Sequence, residues 1–356
     1  MDQTWTSLLD IARRAPSPYN AQPWRLRVLD GESAEVYIDR SRTLPEEELT
    51  GRYLVLTMGL FVESLRLVAA NHGFRLEDEL TAANASYEAK ALDALDGDHM
   101  LFARLTLRAG GRASGYPDEL FLARRTSRLR FDSTPVGLQD ARTLAQVASS
   151  WGYRYTQTSN PDRIERLLVT SLTASRTLWA QPECRREIER WIRFSDKEAR
   201  MRGDGLDARA LGIQPFQLLA DYRLPESVRS IGSGNFLERA RARLGPVATM
   251  GVLSGTFEKV KEMYRAGGFL MHFWLECARL GLSIHPFANL VTDPQAARRG
   301  ELDWRVPGIW FAFRIGRSRE PAKSYRLEVE DILLERDEEA TGESPPTSRA
   351  SSDRRS

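Results

Sequence analysis

Residues 15–24 read Ala15-Pro16-Ser17-Pro18-Tyr19-Asn20-Ala21-Gln22-Pro23-Trp24, and the reading of the whole chain turns on them. Residues 5–14 before them carry helical spacing, and residues 24–28 after them, Trp-Arg-Leu-Arg-Val, read as a strand. Proline fixes its own φ and turns the preceding residue away from helix, so Pro16 stops the helix. Two prolines around Ser17 make a stiff loop, a good place to hold a ligand. The same residues also fit a plain helix stop followed by a turn.

Outward from this loop, helical periodicity is clearest over 3–14, 51–72, 161–193 and 257–281. Strand-like runs occupy 24–29, 35–39, 101–108, 152–157, 246–254 and 308–315, with Asp30-Gly31 as a hairpin signal between the first two. One internal repeat is visible. Residues 59–74 and 267–282 align so that Gly59/Gly267, Phe61/Phe269, Leu67/Leu275, Ala70/Ala278 and Gly73/Gly281 coincide. Each copy is apolar nearly all round, which predicts a buried helix, and each closes on a glycine suited to a helix C-terminus. The pattern suggests one unit present twice: 1–114 and 115–335. Beyond these, 336–356 lacks apolar residues and is expected to be disordered.

Composition excludes several classes. The 356 residues hold 51 basic and 49 acidic side chains, net +2, so charge gives no case for nucleic acid or membrane binding. Only Cys184 and Cys277 occur, too few and too far apart for a disulfide framework or a zinc site. His72, His99, His272 and His285 show no metal-ligand spacing. No signal peptide opens the chain, and no uninterrupted apolar run reaches the roughly 20 residues needed to span a bilayer, so a cytoplasmic protein is expected. A Gly-x-Gly-x-x-Gly opening a helix after a strand is absent, as is a Ser-His-Asp arrangement. Asp204-Gly205-Leu206-Asp207 reads as a turn in a loop over the site rather than a calcium loop.

Three further segments carry chemistry. Arg124-Arg125-Thr126-Ser127-Arg128-Leu129-Arg130-Phe131 packs four arginines and two hydroxyls into eight residues, donors suited to a phosphate, though such a run also fits a solvated surface. Leu280-Gly281-Leu282-Ser283-Ile284-His285-Pro286-Phe287-Ala288-Asn289 follows the second buried helix. Near the end, a buried-type strand precedes Pro321-Ala322-Lys323-Ser324-Tyr325-Arg326.

Together with the opening loop, these segments resemble the FMN-dependent nitroreductase superfamily, in the motif order of its tandem single-chain branch, over residues 7–334. The resemblance implies an α+β fold: two pseudo-symmetric halves, each a central, mainly antiparallel sheet flanked by helices, with FMN in the cleft between them. It implies that Pro16, Ser17, Pro18 and Asn20 touch the flavin. Arg124, Thr126 and Arg128 would grip the phosphate and ribityl chain, and Lys323 with Arg326 would complete the phosphate site. Pro286, Phe287, Ala288 and Asn289 would frame the reactive edge, with a backbone amide aimed at N5. Ala288 and Asn289 stand where the family carries an acidic residue and a glycine; asparagine tolerates the left-handed conformation better than most residues.

The first half has the proline loop without the arginine motif, and the second has the reverse. One composite FMN site per chain is therefore expected, in a monomeric pseudo-dimer or a homodimer. The implied activity is hydride transfer through flavin N5 from NAD(P)H to a small organic acceptor: a nitroaromatic, a quinone, an enone or a biosynthetic intermediate. No side chain stands out as proton donor. The rival readings are a flavin-binding or storage protein with little turnover and a flavin-free scaffold.

Overall fold

The computed structural model describes residues 3–81, 87, 97–223 and 236–335; the expected disordered tail at 336–356 lies outside the described residues. Two four-stranded sheets, both wholly antiparallel, form the frame. The first runs β1 (Trp24–Val28), β2 (Ser33–Asp39), β3 (Phe74–Leu80) and β4 (His99–Ala109), in spatial order β1-β2-β4-β3. The second runs β5 (Arg154–Thr158), β6 (Met250–Ser254), β7 (Ser283–Pro286) and β8 (Ile309–Gly316), in order β5-β6-β8-β7. The two orders are the same order. In each, a 20-residue helix links the second strand to the third: Arg52–Asn71 in one, Val260–Arg279 in the other. The architecture is the expected α+β.

The repeated residues meet where the two long helices cross. A Cβ placed on Gly267 would sit 2.2 Å from the Leu56 carbonyl oxygen and 2.9 Å from the Gly59 Cα. One on Gly59 would sit 2.2 Å from the Tyr264 carbonyl oxygen. The backbones touch here because neither helix has a side chain to hold them apart. Two residues on, Phe61 stacks on Trp24 with centroids 4.6 Å apart, and Phe269 stacks on Tyr153 at 4.7 Å. Each ring is fully buried, a gain of about 2–3 kcal/mol apiece. Gly73 and Gly281 follow their helices at φ +82° and +68°, as the C-terminal reading requires. Arg52–Asn71 is long and apolar enough by composition to cross a membrane, but 78% of that apolar window is buried inside the molecule.

One apolar cluster runs through both sheets and both long helices, so the core is shared between the halves. The C-terminal segment strengthens the join: Leu333 bridges Leu26 of β1, and Leu334 N–H donates to the Leu26 carbonyl at 2.8 Å. The halves differ mainly in one connection. Residues 29–32 join β1 to β2, with the Asp30 carboxylate accepting from the Glu32 and Ser33 amides at 2.8 and 2.7 Å. Residues 159–249 join β5 to β6 and carry further helices.

One expected helix is divided, and several elements were not foreseen, among them the helices Leu138–Ser150 and Pro294–Trp304. The helix foreseen over 161–193 is two helices, Pro161–Ala180 and Pro182–Arg190, because Gln181 is extended (φ −81°, ψ 121°) ahead of Pro182. Strands β3 and β7 were not foreseen. Both are sheet edges, where charge and proline are tolerated: β3 reads Phe-Arg-Leu-Glu-Asp-Glu-Leu and β7 ends on Pro286.

Candidate FMN site

A cavity of about 1410 Å³ takes its walls from both halves. Pro16, Ser17 and Pro18 line it from the first half; Thr126, Arg128 and residues 286–289 line it from the second. A recess of about 50 Å³ shares Pro16, Ser17, Thr126 and Arg128 with it and adds Asn20, Arg124, Lys323 and Arg326. Between them the cavity and the recess are bordered by every residue expected at the site.

The loop at 16–24 is held in a strained shape. Tyr19, Asn20 and Gln22 all have positive φ (47°, 59° and 53°), a conformation costing about 1–2 kcal/mol for each non-glycine residue. Buried hydrogen bonds over-determine it. Asn20 donates to the carbonyls of Gly205 (3.3 Å) and Tyr325 (2.9 Å), and its side-chain oxygen accepts from Arg326. Gln22, fully buried, donates to Gly203 (2.9 Å) and accepts from the Leu327 amide (3.1 Å). The polar residues of Asn-x-Gln thus stitch the first half to two distant segments of the second. The residues around them, Pro16 to Tyr19, Ala21 and Pro23, face the cavity.

The arginine motif runs beside β7, where Thr126 bridges Ile284 and the Ser127 amide donates to the Ile284 carbonyl at 3.1 Å. This pairing sets Arg124 to Arg128 next to residues 285–289. Arg124 is buried, lies over the Trp274 ring at 5.0 Å and donates to the Arg14 carbonyl at 3.0 Å. Its Nε and Nη1, the Nε of Arg125 and the Nε of Arg14 are buried without a partner. Burial, with repulsion from Arg125 and Arg14, pushes Arg124 down to about 9. Burial also lowers Arg128 and, with repulsion from Arg124, Arg326. The acid nearest this group is Glu320, exposed and 3.7 Å from Arg125. Crowded cations with orphaned donors and no buried counter-ion call for an anion.

Arg326 works partly as a clamp, donating to the Arg13 carbonyl at 3.1 Å as well as to Asn20, while Lys323 is exposed at the recess. Asn289 departs from expectation: it opens a helical turn, Asn289–Thr292, instead of a left-handed one, and donates to Ser175 Oγ at 2.5 Å. The Phe287 amide is spent on Ala312 (2.8 Å), and the N–H groups of Ala288 and Asn289 find no acceptor among the described residues.

Arg14, Arg125, His285 and Glu47 border the cavity or the recess and were not named as site residues. Arg14 adjoins the opening loop and Arg125 lies inside the arginine motif, and those positions were the available signal. His285 lines the cavity, and its Nδ1 accepts from Arg314 Nε at 3.1 Å. Burial and the charges of Arg314 and Arg128 push it well below its usual range, so it is neutral and carries its hydrogen on Nε2. Glu47, which lines the cavity, had no sequence signal. Among the described residues no cluster of His, Cys, Asp and Glu could hold a metal ion.

An FMN-sized group fits this geometry, because the unpartnered guanidinium nitrogens are those a phosphate would satisfy and the adjoining cavity has room for a flavin ring. No family model matches the chain. It is 25% identical over 310 residues to a Serratia protein described as "Probable NAD(P)H nitroreductase PigM", covering 83% of this chain and 82% of that one. It is 24% identical over 286 residues to the uncharacterized protein Rv3127 of Mycobacterium tuberculosis, 79% of this chain and 77% of that one. Solved structures overlap it at low TM-scores. The FMN-dependent nitroreductase NfnB of Mycobacterium smegmatis, in complex with NADPH, gives 0.36 at 15% identity, covering 66% of this chain and 97% of that one. A nitroreductase with bound FMN from Desulfitobacterium hafniense gives 0.37 at 10% identity, covering 62% and 97%. The nitroreductase resemblance carried by the four motifs is therefore borne out by a relative of that description along most of the chain, while its tandem branch is not distinguished.

Proposed function

We propose that this chain is an FMN-dependent oxidoreductase of the nitroreductase type, with one composite site, passing hydride from NAD(P)H to a small organic acceptor. The observation that carries the reading is the set of orphaned guanidinium nitrogens of Arg14, Arg124 and Arg125 at one end of a large two-sided cavity. Arg124, Thr126, Arg128, Lys323 and Arg326 would hold the phosphate. Each charge-assisted hydrogen bond is worth about 1.5–3 kcal/mol, so two or three suffice to anchor it. Pro16 to Pro18 would lie against the ring system, and the free amides of Ala288 and Asn289 would meet its reactive edge. His285 supplies a neutral N–H donor beside them. The bound flavin would supply two-electron chemistry; the protein supplies position, donors and exclusion of water. Division of the chain near 114/115 goes with this reading.

The test is the visible spectrum of the purified protein. One releasable FMN per chain, bleached anaerobically by NADPH or NADH, is the expected result. A colourless protein that cannot be reconstituted sinks the proposal. Bound flavin that neither nicotinamide reduces leaves the storage reading in its place.

A further inference from the structure

Among the described residues no acid pairs with Arg314, although its side chain is fully buried. It stands on β8 directly across from His285 on β7, and paired residues of antiparallel strands put their side chains on one face. Its Nη1 donates to the Leu244 carbonyl at 2.6 Å and its Nη2 to the Leu129 carbonyl at 2.8 Å, while the Phe131 ring covers it at 4.2 Å. A neutral side chain would also serve those partners, and a buried charge with no counter-ion is costly. The third partner is different: Arg314 Nε donates to His285 Nδ1 at 3.1 Å. A guanidinium can only donate, so Nδ1 is the acceptor and the imidazole hydrogen is fixed on Nε2. His285 lines the cavity, and its Nε2 is neither enclosed nor bonded to any described residue. The charged groups facing the ring are Arg314 and, from the arginine motif, Arg128; the Phe287 ring packs on it at 5.3 Å.

Resting on the function proposed above, we infer that His285 is a cofactor-binding residue for the pyrimidine end of the flavin ring, and that Arg314 is the positioning residue that keeps it a donor. His285 neighbours both Arg128, from the phosphate and ribityl end, and Pro286, where the reactive-edge segment begins. A flavin reaching from one to the other passes His285 with its apolar dimethylbenzene side or with its polar pyrimidine side. An N–H donor beside two cations suits only the second. The reduced ring gathers negative charge over N1 and the C2 carbonyl, so an N–H fixed there binds the reduced form more tightly than the oxidised one. An unrestrained imidazole would meet the same edge as donor or acceptor by tautomer, and as a cation once protonated. The Arg314 contact removes both alternatives, because a proton on Nδ1 would face a guanidinium.

The experiment uses the FMN-loaded protein and reads the Kd of FMN, the midpoint potential of the bound flavin and the NMR signals of the histidine rings. His285→Leu removes the donor without changing charge. It should weaken FMN about five- to tenfold, as one hydrogen bond would, and lower the potential by about 30 mV for a tenfold loss of preference for the reduced ring. His285→Gln, whose amide N–H reaches about as far as the imidazole Nε2, should restore most of both losses. In the parent, His285 should carry its hydrogen on Nε2 and show no titration between about pH 5.5 and 8.5, whereas Arg314→Met should free the ring to take a second proton below about 6.5. A potential unchanged in His285→Leu, or lowered equally in His285→Gln, with the flavin still bound and reduced by NADPH, overturns this inference and leaves the oxidoreductase standing. So do an Nδ1–H or titrating His285 in the parent, which needs no variant to fold, and an Arg314→Met protein whose His285 behaves as the parent's. A protein that takes no FMN overturns both.

Discussion

The two halves share a topology and differ in what each does with it. Both run strand, strand, long helix, strand, strand in one spatial order, and both place a glycine at the shared helix crossing. The first half closes β1 to β2 within residues 29–32, whereas the second spends residues 159–249 between the equivalent strands. That insertion supplies Gly203, Gly205, Leu206 and Ala210, which touch the first half's loop or the recess. The symmetric parts therefore hold the molecule together and lend the cavity part of its wall, and the asymmetric parts complete it. Substitution at a symmetric position should damage folding, and substitution at an asymmetric one should damage binding.

The sharpest test of that division lies at the crossing. Gly267→Ala drives a methyl against the Leu56 carbonyl, which cannot move away as a side chain would. Loss of about 3–5 kcal/mol in urea unfolding is expected, or no folded protein. Stability within 1 kcal/mol of the parent would break the comparison. On the asymmetric side, Arg124→Leu removes a buried cation with two orphaned nitrogens. FMN affinity should drop at least a hundredfold while the flavin-free protein melts no lower, and even higher, than the parent. Tm with and without FMN reads both signs at once.

Acidity offers a third probe. The pKa of Glu47 rises from the usual 4.5 to about 7 on folding, chiefly by burial. A carboxyl with a raised folded pKa stabilises most below its unfolded value, and that contribution is lost as pH climbs through the folded one. Parent stability should fall by up to about 3 kcal/mol between pH 4.5 and 7 from this group. Glu47→Gln should flatten that part of the profile, and equal slopes in the two proteins would refute the assignment. Asn20→Ala removes three interactions of the stitch and should cost about 2 kcal/mol of stability together with weaker FMN binding, measured by unfolding and flavin titration. Least of all, Gly73→Ala meets nothing within 4 Å and pays only for its left-handed φ, about 1 kcal/mol. A cost as large as that of Gly267→Ala would erase the distinction between packing and backbone strain.

What was legible in the sequence was local or periodic. Pro16 stopping a helix, Asp30 capping a hairpin and the two apolar helices all follow from neighbours along the chain. Gly59 and Gly267 could be paired by alignment, though their meeting face to face needed the fold. Of the edge strands, β3 and β7 escaped because solvent lets them carry the charges of Arg-Leu-Glu-Asp-Glu or end on a proline. Asn20 was expected at the ligand, and Gln22 belonged to the same motif; the partners of both lie at 203–205 and 325–327, and no local rule could name them. Glu47 was equally silent, since its character comes first from burial in the fold and then from Glu187, far along the chain.

The stitch at Asn20 has a consequence for the order of assembly. Arg326 and Tyr325 must travel back across more than three hundred residues, and Gly205 across 185, before that side chain is satisfied. Closing such long loops is slow and comes late. The strained turn has no reason to persist until both visitors arrive, so the recess should be among the last parts to form. Uptake of an anion there would then mark the moment at which the two ends of the polypeptide have found each other.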